Sequence, residues 1–251
     1  MIRGITICVE YDDILKITLP RMLEVLDEVV VVTTESDIRT KQVCVDQNTT
    51  KVKVFETDAF YRDGATFNKG LALEEGFDFM GREGWILVLD ADILFPNRRI
   101  LMNTQLGHLN GGTLNPSYLY GVKRRILDDV TKYTEGMDWR VCPIRHTNVF
   151  TGYFQLFNAS AKEMQQRPWY GVDWTHCGGC DEIFRLKWPR EKCRTLGFLV
   201  LHLGPCDTNW FGRVSERADN IEMGDQKIRK ASMDKMVTHS LWGQKDITGE
   251  P

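Results

Sequence analysis

The chain has 251 residues, of which 42% are hydrophobic and 27% charged, with a formal net charge of -3 at pH 7. This is the composition of a soluble globular protein large enough to bury a core without disulfide or metal staples. It excludes a strongly polycationic chain, so composition alone predicts no nucleic-acid partner, although a local basic groove stays open.

The opening, MIRGITICVEYDD, is a short apolar run broken by acids and is unlike a secretory leader. No later run approaches the roughly 20 apolar residues needed to cross a bilayer, so a cytoplasmic protein without a membrane anchor is expected. In chain order, ITICVEY reads as a strand, KITLPRMLEVLD as a helix started or kinked by Pro20, and EVVVVTT as a strand. A variable stretch follows. KVKVFET is then a strand, NKGLALEEGFDFM a helix and WILVLDADI a strand. Continuous Val/Ile/Leu runs between amphipathic segments predict an α/β domain, Rossmann-like, with a mostly parallel central sheet and helices on both faces. Beyond residue 97 the pattern changes. RRILMNTQL is a candidate helix, residues 117 to 159 are loop-rich with strand-like pieces, KEMQQRPW and DEIFRLKW are short helices, and TLGFLVLHLG is a late strand. From Trp210 the chain is charged and helical to about Leu241, then frayed. The expected organisation is one domain, with a nucleotide-binding half over 1–96, an irregular half over 97–215 and a helical tail over 216–251.

Seven cysteines, an odd number spread over the whole length, suit reduced thiols. HCGGC gives Cys177 and Cys180 zinc-ligand spacing beside His176, with Cys193 and Cys206 as further candidates, but a second C-x-x-C is missing.

The chemistry-bearing residues sit at strand ends, where ligands gather in such sheets: Glu10 to Asp13, Thr33 to Asp37, and Asp90 to Asp92. Alternation in an extended segment would put Asp90 and Asp92 on one side, so that two hard oxygen ligands converge on one divalent cation. The other reading is an acid-rich strand-end turn. LVLHLGP ends a second apolar strand with His202, a nitrogen ligand that would favour Mn2+ over Mg2+. In HCGGCDEIFRLKW, Asp181 and Glu182 follow two glycines, as helix-start acids or as a general base. Most of the aromatics between these motifs are core residues, but RPWYGVDWTHCGG runs into the candidate base, so Trp169 and Trp174 are candidates to stack on a sugar or a base. RLKWPREKCR and the Lys123–Arg125 triplet are local basic clusters, each a solvated face or a phosphate contact.

Those three motifs, in that order after a βαβ opening, resemble nucleotide-sugar glycosyltransferases of the GT-A fold, in particular small bacterial and bacteriophage-type members, over residues 2 to 215. The resemblance implies that Asp90 and Asp92 hold Mn2+ or Mg2+ against the diphosphate of the donor, with His202 completing the shell. It implies donor contacts from Glu10, Tyr11, Asn68, Lys69, Ala91, Asn209 and Arg213, and base contacts from Thr33 and Asp37, with a UDP-sugar as donor. Gly179-Cys180-Asp181 matches the acceptor-side Gly-x-Asp of inverting members, with Cys180 where an acid is frequent, so the base is Asp181 or Glu182. Tyr153, Gln155, Trp169, Trp174 and Gly179 would face the acceptor, which is a glycan, a small molecule or a hydroxymethylated base in phage DNA. Two rivals are a sugar nucleotidyltransferase, which usually opens on a glycine-rich loop where residues 2 to 20 hold only Gly4, and a non-catalytic zinc or nucleic-acid-binding module.

Overall fold

The computed structural model describes residues 1–97, 114–146, 149–206, 208–213, 215 and 217–219. Side-chain alternation builds its first strands, β1 (Ile2–Ile7) and β2 (Glu28–Thr33), and also β4 (Trp85–Asp90). Ile5, Ile7, Val30, Val32, Ile86 and Val88 enter one apolar layer, while Ile2, Val29, Val31, Leu87 and Leu89 enter the other. Strands that are apolar on both sides must be covered on both. Helices α1 (Asp12–Val25) and α2 (Ile38–Asp46) cover the second layer through Leu15, Leu19, Met22 and Cys44. Helices α3 (Lys69–Met80) and α4 (Cys180–Leu186) cover the first through Ala72, Leu73, Phe77, Cys180 and Phe184.

Five more strands, β3 (Val52–Glu56), β5 (Ile93–Leu94), β6 (Leu119–Leu127), β8 (Phe154–Asn158) and β9 (Cys193–Leu203), complete the row β3-β2-β1-β4-β8-β6-β9-β5, and β7 (Ile144–Arg145) pairs with β6. The row β3-β2-β1-β4 is parallel throughout, as is β6 beside β9. The antiparallel pairs are β4–β8, β8–β6, β6–β7 and β5–β9. The expected α/β architecture, Rossmann-like in its first half and covered by helices on both faces, is therefore present.

Two local features set the site. Register in the β5–β9 pair puts His202 opposite Ile93, and the Leu203 N–H donates to the Asp92 carbonyl at 2.9 Å, which brings His202 beside Asp92. A Cβ at Gly70 would stand 1.8 Å from the Gly171 carbonyl oxygen, so only glycine lets the first turn of α3 reach the loop before α4.

Several boundaries differ from the sequence expectation. Residues 38–46, read as variable, form α2, capped by Asp37 but burying only Thr40 and Cys44, too narrow a stripe for periodicity to find. α1 starts at Asp12 and runs on through Pro20. KEMQQRPW supplies a single 3-10 turn, Lys162–Met164, rather than a helix. The helix expected from Trp210 has not begun in the described residues up to 219, where Arg213 and Arg217 are instead drawn against α1. The helix expected over 98–106 and the tail from 220 onward lie outside the described residues. No helix among the described residues is long and apolar enough to cross a membrane.

Candidate active site

A cleft of about 510 Å3 lies over the strand ends and brings together residues from five distant segments: Tyr11, Lys69, Asp90 to Asp92, Asp181 with Glu182, and His202. Asp90 closes β4, while Ala91 and Asp92 form the turn into β5. A turn, not strand alternation, therefore brings the two acids to the cleft, which corrects the geometric expectation while leaving both residues there.

Asp92 and Asp90 have different surroundings. Asp92 Oδ1 is buried with no hydrogen-bond partner, and Oδ2 lies 3.6 Å from Nε2 of His202. The other imidazole nitrogen, Nδ1, is 3.0 Å from the Gly204 carbonyl oxygen, which can only accept, so Nδ1 carries a proton and Nε2 is the nitrogen turned toward Asp92. Burial opposes charging of this ring, but the Asp92 carboxylate outweighs it, with Cys206 adding to the effect, and the imidazole is pushed up to about 9. Asp90 instead pairs with the Lys69 ammonium. Among the described residues no three His, Cys, Asp or Glu side chains converge as a metal-binding group, so the expected trio of Asp90, Asp92 and His202 is not assembled. Asp92 and His202 still fit half of a divalent site: an orphaned carboxylate oxygen and an oriented ring nitrogen, the latter favouring Mn2+ over Mg2+.

Lys69, the first residue of α3, is buried against Asp90. Burial pulls its pKa down, yet Asp90, with Cys180 and Asp181 behind it, holds the ammonium above its ordinary range. Asp181, in the first turn of α4, accepts the Gly152 N–H at 2.6 Å, and a Cβ at Gly152 would meet that carboxylate at 2.8 Å. Gln155 is fully buried and supports this arrangement from behind. Its Nε2 donates to the Asp181 carbonyl at 3.1 Å and the Phe150 carbonyl at 2.8 Å, and its Oε1 accepts the Tyr170 hydroxyl. Gly179, at φ 93°, lines the cleft with bare backbone, and Trp174 packs behind it. Glu182 reaches the cleft as an exposed side chain.

Other expected contacts are engaged elsewhere. Arg213 is buried in a two-pronged pair with Asp13, with Tyr11 stacked 4.7 Å from its guanidinium, so it braces the cleft floor instead of projecting into it. Asp37 caps α2 through Thr40 N–H and also accepts from Thr33, the Thr40 hydroxyl and Glu10 N–H, which uses up both carboxylate oxygens. Glu10 and Asp37 line a separate small hollow of about 170 Å3, and Thr33 is buried beneath. Asn68 caps α3 through Leu71 N–H and donates to the Val172 carbonyl at 2.7 Å. Trp169 is core, its indole donating to the Met164 carbonyl at 2.9 Å, so it cannot stack on an acceptor. Gln155 and Tyr153 are likewise buried, although the Tyr153 ring borders the cleft. Asn209 lines the cleft while holding the backbone and hydroxyl of Ser215. Burial pushes the Cys177 thiol up to about 12 and Cys180 well above its usual range.

Arg124 enters the cleft from outside the three motifs. Of the triplet Lys123–Arg125, only Arg124 enters the cleft, while Lys123 and Arg125 face a second hollow on the other side of β6. Strand alternation within a basic cluster is the signal that could have found it. Gly152 carries none.

No family model matches the chain, and no curated protein matches it in sequence. Solved structures resemble it in chain trace. A 4-diphosphocytidyl-2C-methyl-D-erythritol synthase from Anaerococcus prevotii is 13% identical over 93% of this chain and 96% of its own, with a TM-score of 0.47. HddC from Yersinia pseudotuberculosis is 11% identical over 79% and 90%, at 0.45. The Mycobacterium tuberculosis glucosyl-3-phosphoglycerate synthase is 13% identical over 95% and 80%, also at 0.45. These are loose likenesses at low identity, and they assign this chain neither a reaction nor a substrate.

Proposed function

We propose that the chain is a metal-dependent glycosyltransferase that moves a sugar from a nucleoside-diphosphate donor, a UDP-sugar, to an acceptor hydroxyl. One observation carries the reading: Asp92, with one carboxylate oxygen unpaired, and Nε2 of His202 face each other in the same cleft that holds Asp181. Asp92 and His202 would hold a divalent cation, which supplies charge neutralisation for a departing diphosphate. Lys69 adds a buried positive charge beside Asp90 on the donor side. Tyr11 borders the cleft at the start of α1, where the nucleoside would lie.

Asp181 supports the second half of the reading. The Gly152 N–H donates to its carboxylate and fixes it at the wall of the cleft, where an attacking hydroxyl can reach it. Removing the proton from an attacking hydroxyl as the donor bond breaks is a single displacement, which inverts the anomeric centre. Asp181 is better suited than Glu182 because its carboxylate is fixed by the backbone, while Glu182 stands exposed.

Incubation of the full chain with Mn2+ and a panel of nucleotide sugars tests this. Slow release of nucleoside diphosphate is the expected result. Release of pyrophosphate from a nucleoside triphosphate and a sugar phosphate would point to nucleotidyl transfer instead, and no turnover with either would leave a binding module.

A further inference from the structure

Four arginines are buried among the described residues, and three have partners. Arg3 donates to the carbonyls of Met80, Gly81 and Glu83, Arg213 grips Asp13, and Arg217 grips Asp12. Arg124 is different. It is 6% exposed, its Nε is buried without a hydrogen-bond partner, and no carboxylate among the described residues lies within 4.0 Å of its guanidinium. Its support is the Tyr153 ring, 4.1 Å below the guanidinium. A buried cation without a counter-ion is costly, and an arginine fork matches an oxyanion.

Position narrows what the anion belongs to. Tyr153 directly follows Gly152, whose N–H holds Asp181, so one short segment carries both the guanidinium and the candidate base. Lys69 stands elsewhere in the cleft, against Asp90. We infer that Arg124 receives an oxyanion, a phosphate or carboxylate, carried by a small acceptor whose hydroxyl is presented to Asp181. This rests on the transferase reading for the word acceptor, but the anion site itself does not. A phosphodiester flanked by two nucleosides cannot bring its oxygens down to a guanidinium this buried, whereas a terminal anionic group can.

Calorimetric titration of the full chain with inorganic phosphate, with acetate alongside, tests the site without any donor. Phosphate or acetate should bind the unaltered protein, including when Mn2+ and saturating UDP are present, and whichever binds tighter names the anion. Arg124→Gln should weaken that binding about tenfold or more, the loss of a charge-assisted fork, and Arg124→Lys should fall between. UDP affinity should move by less than about threefold, a small fraction of that loss. Displacement of the anion by UDP would assign Arg124 to the donor diphosphate and overturn the inference. Unchanged anion binding in Arg124→Gln, or no anion binding at all, would do the same. So would displacement by a single-stranded oligonucleotide lacking terminal phosphates. Failure of every nucleotide sugar to release diphosphate would sink the transferase reading while leaving the anion titration to stand or fall by itself.

Discussion

Two pairs of acids follow two apolar strands of one sheet and meet opposite fates. Asp12 and Asp13, after β1, are neutralised by arginines some 200 positions away: Arg217 binds Asp12 with both Nη atoms at 2.7 Å, and Arg213 binds Asp13, whose Oδ2 also accepts the Ala218 N–H at 2.8 Å. In the second pair, after β4, Lys69 pairs with Asp90 and His202 stands 3.6 Å from Asp92 Oδ2, while Asp92 Oδ1 has no hydrogen bond. The same residue type near the end of an apolar strand is a clasp in one case and keeps an unpaired oxygen in the other. The supply of partners makes the difference, and a buried carboxylate with an unpaired oxygen is where chemistry is to be sought.

The sharpest way to test the open half is at its base. Asp181→Asn keeps the acceptor for the Gly152 N–H but cannot take a proton. Transfer should fall by about 10²–10⁴, the usual worth of general-base catalysis, while donor affinity stays near native. Near-native transfer rates would remove Asp181 from the mechanism and turn attention to Glu182.

The closed half should respond in stability. Asp13→Asn strands the Arg213 guanidinium in the interior, and breaking a buried pair of this kind costs about 3–5 kcal/mol. Urea denaturation should register the loss. A change below about 1 kcal/mol, the scale of an exposed ion pair, would mean that the clasp is not closed in solution.

Much of this comparison is legible in the amino-acid sequence, but unevenly. The β1, β2 and β4 runs are apolar on both faces, and that alone requires helices on both sides. Asp90, Asp92, Asp181 and His202 are readable because each stands at an end of an element, where a short motif survives without its three-dimensional context. Asp13 and Arg213 are not readable as a pair. Nothing local links residues two hundred positions apart, so Arg213 looks like a free phosphate contact. Trp169 misleads for a related reason: its position beside the base motif suggests a stacking surface, while its burial under α3 is set by Phe77 and Phe157, which the motif does not contain. Arg124 is partly legible, as one member of a basic triplet, but which of the three faces inward depends on the register of β6.

Acid titration separates the pairs further. Burial works against the Asp13 carboxylate, but the hydrogen bonds and charge of Arg213 outweigh it and hold its pKa below the usual value. A group depressed in the folded state adds stability that is complete above its unfolded pKa, about 3.9, and is lost as pH falls through the lower folded value. Unfolding free energy measured against pH should therefore drop below about pH 4 more steeply in the unaltered chain than in Asp13→Asn. Parallel curves down to the acid limit would show that the pair contributes nothing there.

The smallest expected effect bears hardest on the open half. Above about pH 9, where the His202 ring is neutral, Asp92→Asn should change unfolding free energy by no more than about 1 kcal/mol in either direction, because it removes one long contact to His202 and relieves an oxygen already unpaired. Mn2+ affinity should fall at least about tenfold in the same protein, since even partners beyond the ligands themselves are worth that much. The two measurements have to be taken together. A large stability loss with unchanged Mn2+ binding would make Asp92 a second clasp, held by His202 as Asp13 is held by Arg213, and the contrast between the strand ends would vanish. A small stability change with lost metal affinity would mean that the missing partner of Asp92 is a cation the chain does not itself supply.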